Sequence, residues 1–146
     1  MSVLELDRID LNGTATNRDD AIRDVGAKLV AAGAVTPAYV DAMFDRERTV
    51  STYMGNYLAI PHGTNESKDT ILRSALAITR YDAPLDWAGD EVRFVIGIAG
   101  KNNEHLGILS KLAIVFSDED DVQKLLAAQT PEELMSLLGD VNEDEA

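Results

Sequence analysis

Val92-Arg93-Phe94-Val95-Ile96-Gly97-Ile98-Ala99 is a near-continuous apolar run. Such a run marks a central strand, buried on both faces. Gly100 and the polar Lys101-Asn102-Asn103 lead out of it into a helical pattern, with Leu106, Leu109, Leu112, Ala113 and Phe116 inward. Upstream, Ser74 to Tyr81 reads as a second strand, and Asp82-Ala83-Pro84 turns the chain between the two. Tyr57 to Ile60 gives a short strand signal, ended by Pro61 and Gly63. The polar segment that follows has room for one helical turn, Glu66 to Leu72. Val3 to Leu11 has strand-like spacing but is too charged to lie centrally.

Helices fill the spaces between these strands. Ile22, Val25 and Leu29 share one face after Thr16, with Asp19 at capping-box spacing and Gly33 as the stop. Thr36-Pro37 opens a second helix, with Val40, Met43 and Phe44 inward and Arg46 near its end. Ser117 with Asp120 opens another over Val122, Leu125 and Leu126. Thr130-Pro131-Glu132-Glu133 begins the last, with Leu134, Leu137 and Leu138 apolar and Gly139 as its stop. Strands interleaved with helices mean an α/β protein: a single domain with a small mixed sheet of about five strands, flanked by helices.

Composition narrows the function. The chain has 146 residues and no cysteine. That length suits one domain able to bury about two-thirds of its unfolded surface. Without cysteine there is no disulfide, thiolate metal site or cysteine nucleophile. The longest apolar stretch, Phe94 to Gly100, is far short of the ~20 residues that span a bilayer. The opening residues carry acids where a signal peptide needs a basic start. The expectation is therefore a cytoplasmic protein that does not span a membrane. Net charge is −13, and −9 of it falls from Asp118 onward. Nucleic acid is a poor partner for such a surface. The same field serves solubility or draws in a basic protein surface. Residues 142–146 read as a short acidic tail on a domain spanning residues 1–141.

Two histidines stand out. His62 follows Leu58-Ala59-Ile60-Pro61 and precedes Gly63-Thr64-Asn65, so it emerges where a buried strand feeds a loop. Reactive groups of α/β proteins gather at such strand ends. Neutral imidazole is a competent nucleophile near pH 7, since an unperturbed histidine titrates at ~6.5. Thr64, Asn65 and nearby backbone N–H groups can donate to an anion held there. Taken alone, Pro-His-Gly fits a hydrogen-bonded loop histidine better than a reactive one. His105 lies in the first turn of the helix after the central strand, where anions bind readily, with Asn102-Asn103 adding cap and donor chemistry. An ordinary helix-start residue occupies the same place. Arg46 and Arg48 end the second helix shortly before the His62 strand, and also complement that helix's C-terminus.

Other chemistries lack their residues. Zinc is disfavoured by two histidines without cysteine, HExxH or a carboxylate cluster at ligand spacing. GxGxxG, GxxxxGK[ST] and GxSxG do not occur, so neither a bound nucleotide nor a serine hydrolase is indicated. Asp118-Glu119-Asp120-Asp121 lacks the spacing and glycine of a calcium loop and reads as a charged helix start.

Together these segments resemble the mannitol/fructose-type (type-2) IIA component of the bacterial phosphoenolpyruvate-dependent sugar phosphotransferase system. Glu47 to Gly63, ERTVSTYMGNYLAIPHG, fits the family's phosphorylation-site signature: an acidic or amide residue, an apolar-Gly pair, then aliphatic-Ala-aliphatic-Pro-His-Gly. VIGIAGKNNEHLGILSKLA resembles its segment with a second active-site histidine. The resemblance implies a mixed sheet between helices and a phosphoryl relay as the activity. His62 would accept the phosphoryl group through Nε2 from the histidine-containing phosphocarrier protein and pass it to a IIB component. His105 would lie beside the phosphoryl group and Arg46 would help hold it, with Gly63, Thr64 and Asn103 in the phosphate neighbourhood. No nucleotide, metal or other cofactor is implied. The mannitol IIB uses a cysteine, and the absence of cysteine here places that acceptor on a separate chain. Asn-Asn-Glu-His and Thr-Tyr-x-Gly point to the mannitol subtype over fructose. Nitrogen-related IIA paralogues, which signal by phosphorylation state, are the other branch of the resemblance.

Overall fold

The computed structural model describes residues 4–101 and 105–138. Gly139, Asn103 and the acidic tail lie outside those residues, as do the side chains of Asn65, Glu66 and His105. The five-stranded sheet has the order β1-β4-β5-β3-β2, where β1 is Ile9–Asp10, β2 Tyr53–Gly55, β3 Leu58–Ala59, β4 Ala75–Trp87 and β5 Asp90–Ala99. The apolar run of residues 92–99 lies in β5, the middle strand. β5 pairs antiparallel with β4 and parallel with β3. β1 lies parallel to β4 at one edge, and β2 antiparallel to β3 at the other.

Alternation along the strands sorts the helices. One sheet face presents Leu58, Ile60, Leu76, Ile78, Phe94, Ile96 and Ile98. These pack against α3 (His105–Phe116), α4 (Glu119–Ala127) and α5 (Pro131–Leu138). The opposite face presents Ala59, Ala75, Ala77, Val95 and Ala99 to α1 (Arg18–Ala31) and α2 (Ala38–Thr49). Small side chains let α1 sit close. A Cβ on Gly97 would lie 2.8 Å from the Cβ of Val25, closer than packed carbons tolerate.

Of the segment Val3 to Leu11, the described residues from Leu4 onward yield only two strand residues, because Leu6–Arg8 turns in a 3₁₀ helix. Its edge position agrees with its charge. The turn expected at Asp82-Ala83-Pro84 does not occur there. β4 continues through these residues to Trp87, with a register shift between Arg80 and Leu85. A proline lacking an N–H is tolerated at such an irregularity. The chain reverses at Ala88-Gly89, where φ is 56° and 98°.

Three helix starts also differ from expectation. Asn17, not Thr16, caps α1 by accepting the Asp20 N–H at 2.8 Å. Asp118, not Ser117, caps α4 by accepting from the Asp120 and Asp121 N–H groups. Thr36 gives α2 no side-chain cap; its carbonyl accepts the Tyr39 N–H instead. Thr130 does cap the last helix, accepting the Glu133 N–H at 3.1 Å. Gly33 ends α1 with φ 73°. On α3 the buried residues are Ile108, Leu112 and Phe116, and the expected inward Leu106 is 62% exposed.

Candidate active site

β3 and β5 are parallel neighbours, so both strands point the same way. Beyond the end of β3, His62 makes one further parallel bridge to Ile98, and the Ile98 N–H donates to the Pro61 carbonyl at 3.0 Å. After β5 the chain enters α3, whose first residue is His105. The topology therefore brings both histidines to the C-terminal end of the parallel pair, where open α/β sheets bind their ligands.

Local bonds fix the His62 ring. Nδ1 lies 2.8 Å from the Ile60 carbonyl oxygen. A carbonyl oxygen only accepts, so Nδ1 carries a hydrogen. In the neutral imidazole this leaves the lone pair on Nε2, which is the form a nucleophile needs.

The backbone beyond His62 is held from α2. The Tyr39 hydroxyl donates to the Ile98 carbonyl at 2.6 Å and accepts the Gly63 N–H at 2.9 Å. One phenol thus joins the central strand to the residue after His62. Burial pushes this phenol up to about 12, against a lesser lowering by the Gly63 bond. It remains a neutral donor throughout the neutral range. The Gly63 N–H is engaged with this oxygen. The glycine is required for space: a Cβ there would lie 2.6 Å from both Ser67 Oγ and Tyr39 Cε1. The Thr64 carbonyl accepts from Ser67 Oγ at 2.6 Å, closing the start of the 3₁₀ helix Asn65–Thr70.

Arg46 sits on the last turn of α2. Its Nη1 donates to the Val50 carbonyl at 2.6 Å, while the Val50 N–H donates to the Arg46 carbonyl. The guanidinium thus fastens the helix C-terminus from which the chain runs into β2. Among the described residues, no group of three or more His, Asp or Glu side chains is placed to hold a metal ion. No helix there is long and apolar enough to cross a membrane.

The family "Phosphoenolpyruvate-dependent sugar phosphotransferase system, EIIA 2" matches residues 2–141. The chain belongs to this family. This EIIA chain is 49% identical over 142 residues to the mannitol-specific phosphotransferase enzyme IIA component of Halalkalibacterium halodurans, covering 97% of this chain and 98% of that one. It is 43% identical over 143 residues to the protein of the same description in Bacillus subtilis, covering 97% and 100%. Among solved structures it is similar to Escherichia coli IIA mannitol, with TM-score 0.85, 36% identity and coverage of 92% and 98%. The fold and the family expected from the sequence are thus both met, and the EIIA chain is a phosphotransferase component.

Tyr39 was not picked out by sequence reasoning, and Glu47 entered it only as the acidic residue that opens the phosphorylation-site signature. Tyr39, Met43 and Glu47 recur at intervals of four and are buried on α2. The pattern Val40, Met43, Phe44 rotated that face by one residue because it favoured apolar side chains over a tyrosine and an acid. Thr52, also buried, was read only as part of Thr-Tyr-x-Gly, because the strand it leads into, β2, is only three residues long.

Proposed function

We propose that this EIIA chain is the IIA component of a mannitol system and relays a phosphoryl group through His62 Nε2. The reading rests above all on the His62 ring, whose Nδ1 is hydrogen-bonded to Ile60 at a strand end. The high identity to mannitol-specific relatives supports the sugar. A solved complex of Escherichia coli IIA mannitol with phosphorylated IIB mannitol, of which the IIA chain gives TM-score 0.86 at 35% identity, supports a IIB partner.

In the forward step the His62 Nε2 lone pair attacks phosphorus on the phosphocarrier protein's phosphohistidine. The new N–P bond forms as the old one breaks, and the electron pair returns to the donor imidazole. In the second step a IIB cysteine thiolate, on a separate chain, attacks the same phosphorus and frees His62. Little covalent chemistry is asked of the protein beyond in-line placement and charge stabilisation on the equatorial oxygens. His105 and Arg46 supply that charge stabilisation, with Thr64 and Asn103 around the phosphoryl group. The relay needs no cofactor and operates in the cytoplasm, with residues 1–141 as its domain and 142–146 as a tail. The −13 charge of the chain favours encounter with a basic donor surface.

The test mixes the protein with phosphoenolpyruvate, enzyme I and the phosphocarrier protein, then adds a hexitol IIB. An acid-labile phosphate should form, vanish in His62→Ala and pass to the IIB. A label that survives His62→Ala overturns the acceptor. A stable label that passes to no sugar IIB overturns the transport role and leaves a regulatory one.

A further inference from the structure

The site description leaves one buried charge without a role. Glu47, on the last turn of α2, is 5% exposed. Among the described residues no cation pairs with it. Its carboxylate instead accepts three hydrogen bonds. Oε2 takes the Thr52 N–H at 2.8 Å and the Trp87 Nε1–H at 2.9 Å. Oε1 takes the Thr52 hydroxyl at 2.6 Å. A buried carboxylate is costly unless its lone pairs are filled in this way. Here the filling donors come from two other segments: the end of β4 and the lead into β2.

From Thr52 the bonds continue to the histidine. The Thr52 carbonyl accepts the Ile60 N–H at 3.1 Å. The Ile60 carbonyl in turn lies 2.8 Å from His62 Nδ1. A continuous hydrogen-bonded path therefore runs from Trp87 through Glu47, Thr52 and Ile60 to the His62 ring. Glu47 is also the sequence neighbour of Arg46, so one carboxylate ties the helix turn bearing the arginine to the strand bearing the histidine.

We propose that Glu47 is a positioning residue for phosphoryl transfer: it sets the His62 imidazole and the Arg46 turn in register by holding Thr52 against Trp87. This rests on His62 being the phosphoryl acceptor. Group transfer is sensitive to such placement, since a misplacement of ~1 Å can cost about a hundredfold in rate. The bonds, not the negative charge, carry the function. A glutamine at this position keeps every one of them. Its carbonyl oxygen, at the place of Oε2, accepts both N–H groups. Its amide donates to Thr52 Oγ1, whose hydroxyl turns to accept.

The experiment compares the full chain with Glu47→Ala, Glu47→Gln and Thr52→Val. It measures kcat and KM for transfer from the phosphorylated donor, at a temperature where circular dichroism shows each variant folded. Glu47→Ala should lose ~10- to 100-fold in kcat with KM for the donor within about twofold. Glu47→Gln should restore kcat to within about threefold of the parent. Thr52→Val keeps the Thr52 N–H bond and loses the hydroxyl, so a smaller fall in kcat is expected. It also decides the question if Glu47→Ala does not fold. Wild-type kcat in folded Glu47→Ala or Thr52→Val overturns the proposal. So does a glutamine variant as slow as the alanine, since charge would then be the cause. Nitrogen-15 NMR of the unphosphorylated proteins gives an independent reading. The His62 Nδ1–H signal should persist in the parent and Glu47→Gln and exchange away in Glu47→Ala. That signal reports on the path even if His62 proves not to be the acceptor, and unchanged Nδ1–H protection in Glu47→Ala overturns the proposal.

Discussion

Tyr39→Phe removes one oxygen from the middle of the site and leaves the ring in place. The oxygen makes two bonds, to the Ile98 carbonyl and from the Gly63 N–H. Ile98 is buried, and an orphaned buried polar group costs ~1–3 kcal/mol. Counting the half-buried Gly63 group at the low end, the variant should lose about 2–4 kcal/mol at pH 7. For a chain of this length that lowers Tm by roughly 6–12 °C. The alkaline limb gives a second reading. Folding raises the Tyr39 phenol from 10.0 to about 12. A raised folded value means that the unfolded phenol loses its proton first, so the stabilisation is whole below pH 10 and is lost as pH rises through 12. Within that window each such phenol adds about 1.4 kcal/mol of lost stability per pH unit. Tyr81 is raised as well, by burial and by the neighbouring Asp24 and Asp10 carboxylates, and it remains in the variant. The parent should therefore fall more steeply than Tyr39→Phe by about 1.4 kcal/mol per pH unit between pH 10 and 12. Urea unfolding at half-unit pH steps measures both proteins. Parallel limbs together with an unchanged Tm at pH 7 would refute the two-bond account of Tyr39.

Gly63→Ala places a methyl 2.6 Å from Ser67 Oγ and Tyr39 Cε1, so the loop must move. We expect a stability loss of ~1–3 kcal/mol and at least a tenfold slower transfer, read by denaturant unfolding and the relay assay. Arg80 is buried in β4, and its Nη1 donates to the Leu125 and Ala128 carbonyls at 3.0 and 2.6 Å. Arg80→Met should cost ~1–3 kcal/mol by leaving the Ala128 carbonyl unpaired, while the Leu125 carbonyl keeps the Ala128 N–H. Hydrogen exchange should show α4 and α5 losing more protection than β5; uniform loss would count against the clamp.

Much of the fold was legible because its signals are apolar and repetitive. The run of residues 92–99 cannot be placed anywhere but the middle of the sheet, and the charged first segment could only be an edge. Signals that depended on one polar side chain were harder to place. Neighbouring residues offer the same chemistry, as Thr16 and Asn17 do for α1, and Ser117 and Asp118 for α4. Backbone geometry then chooses between them. The misplaced turn has a related cause. Asp82-Ala83-Pro84 has turn composition, but the buried Leu85 and Trp87 beyond it carry enough apolar surface to keep the strand on the sheet. The chain absorbs the proline as a local irregularity instead.

The site was legible to a different depth. Pro-His-Gly marks His62 as the candidate because proline, imidazole and glycine each have a distinct local effect, and the two family-like segments together, not that tripeptide alone, carry the reading. What makes that histidine usable lies elsewhere in the chain: a tyrosine 23 residues before it and a glutamate 15 before it. Both lie on the face of α2 turned into the protein. A helix face with a tyrosine, a methionine and an acid at spacing four looks imperfectly amphipathic, and apolar periodicity alone discards its polar members. Yet a polar group that interrupts an otherwise buried face must find partners. In a chain with a short strand close by, those partners are the N–H and C=O groups at the strand's ends. Tyr39 and Glu47 each meet that condition. The polar interruptions of α2 are therefore where the strand bearing His62 is held, and a search for buried polar residues one helix before a reactive loop would have found them.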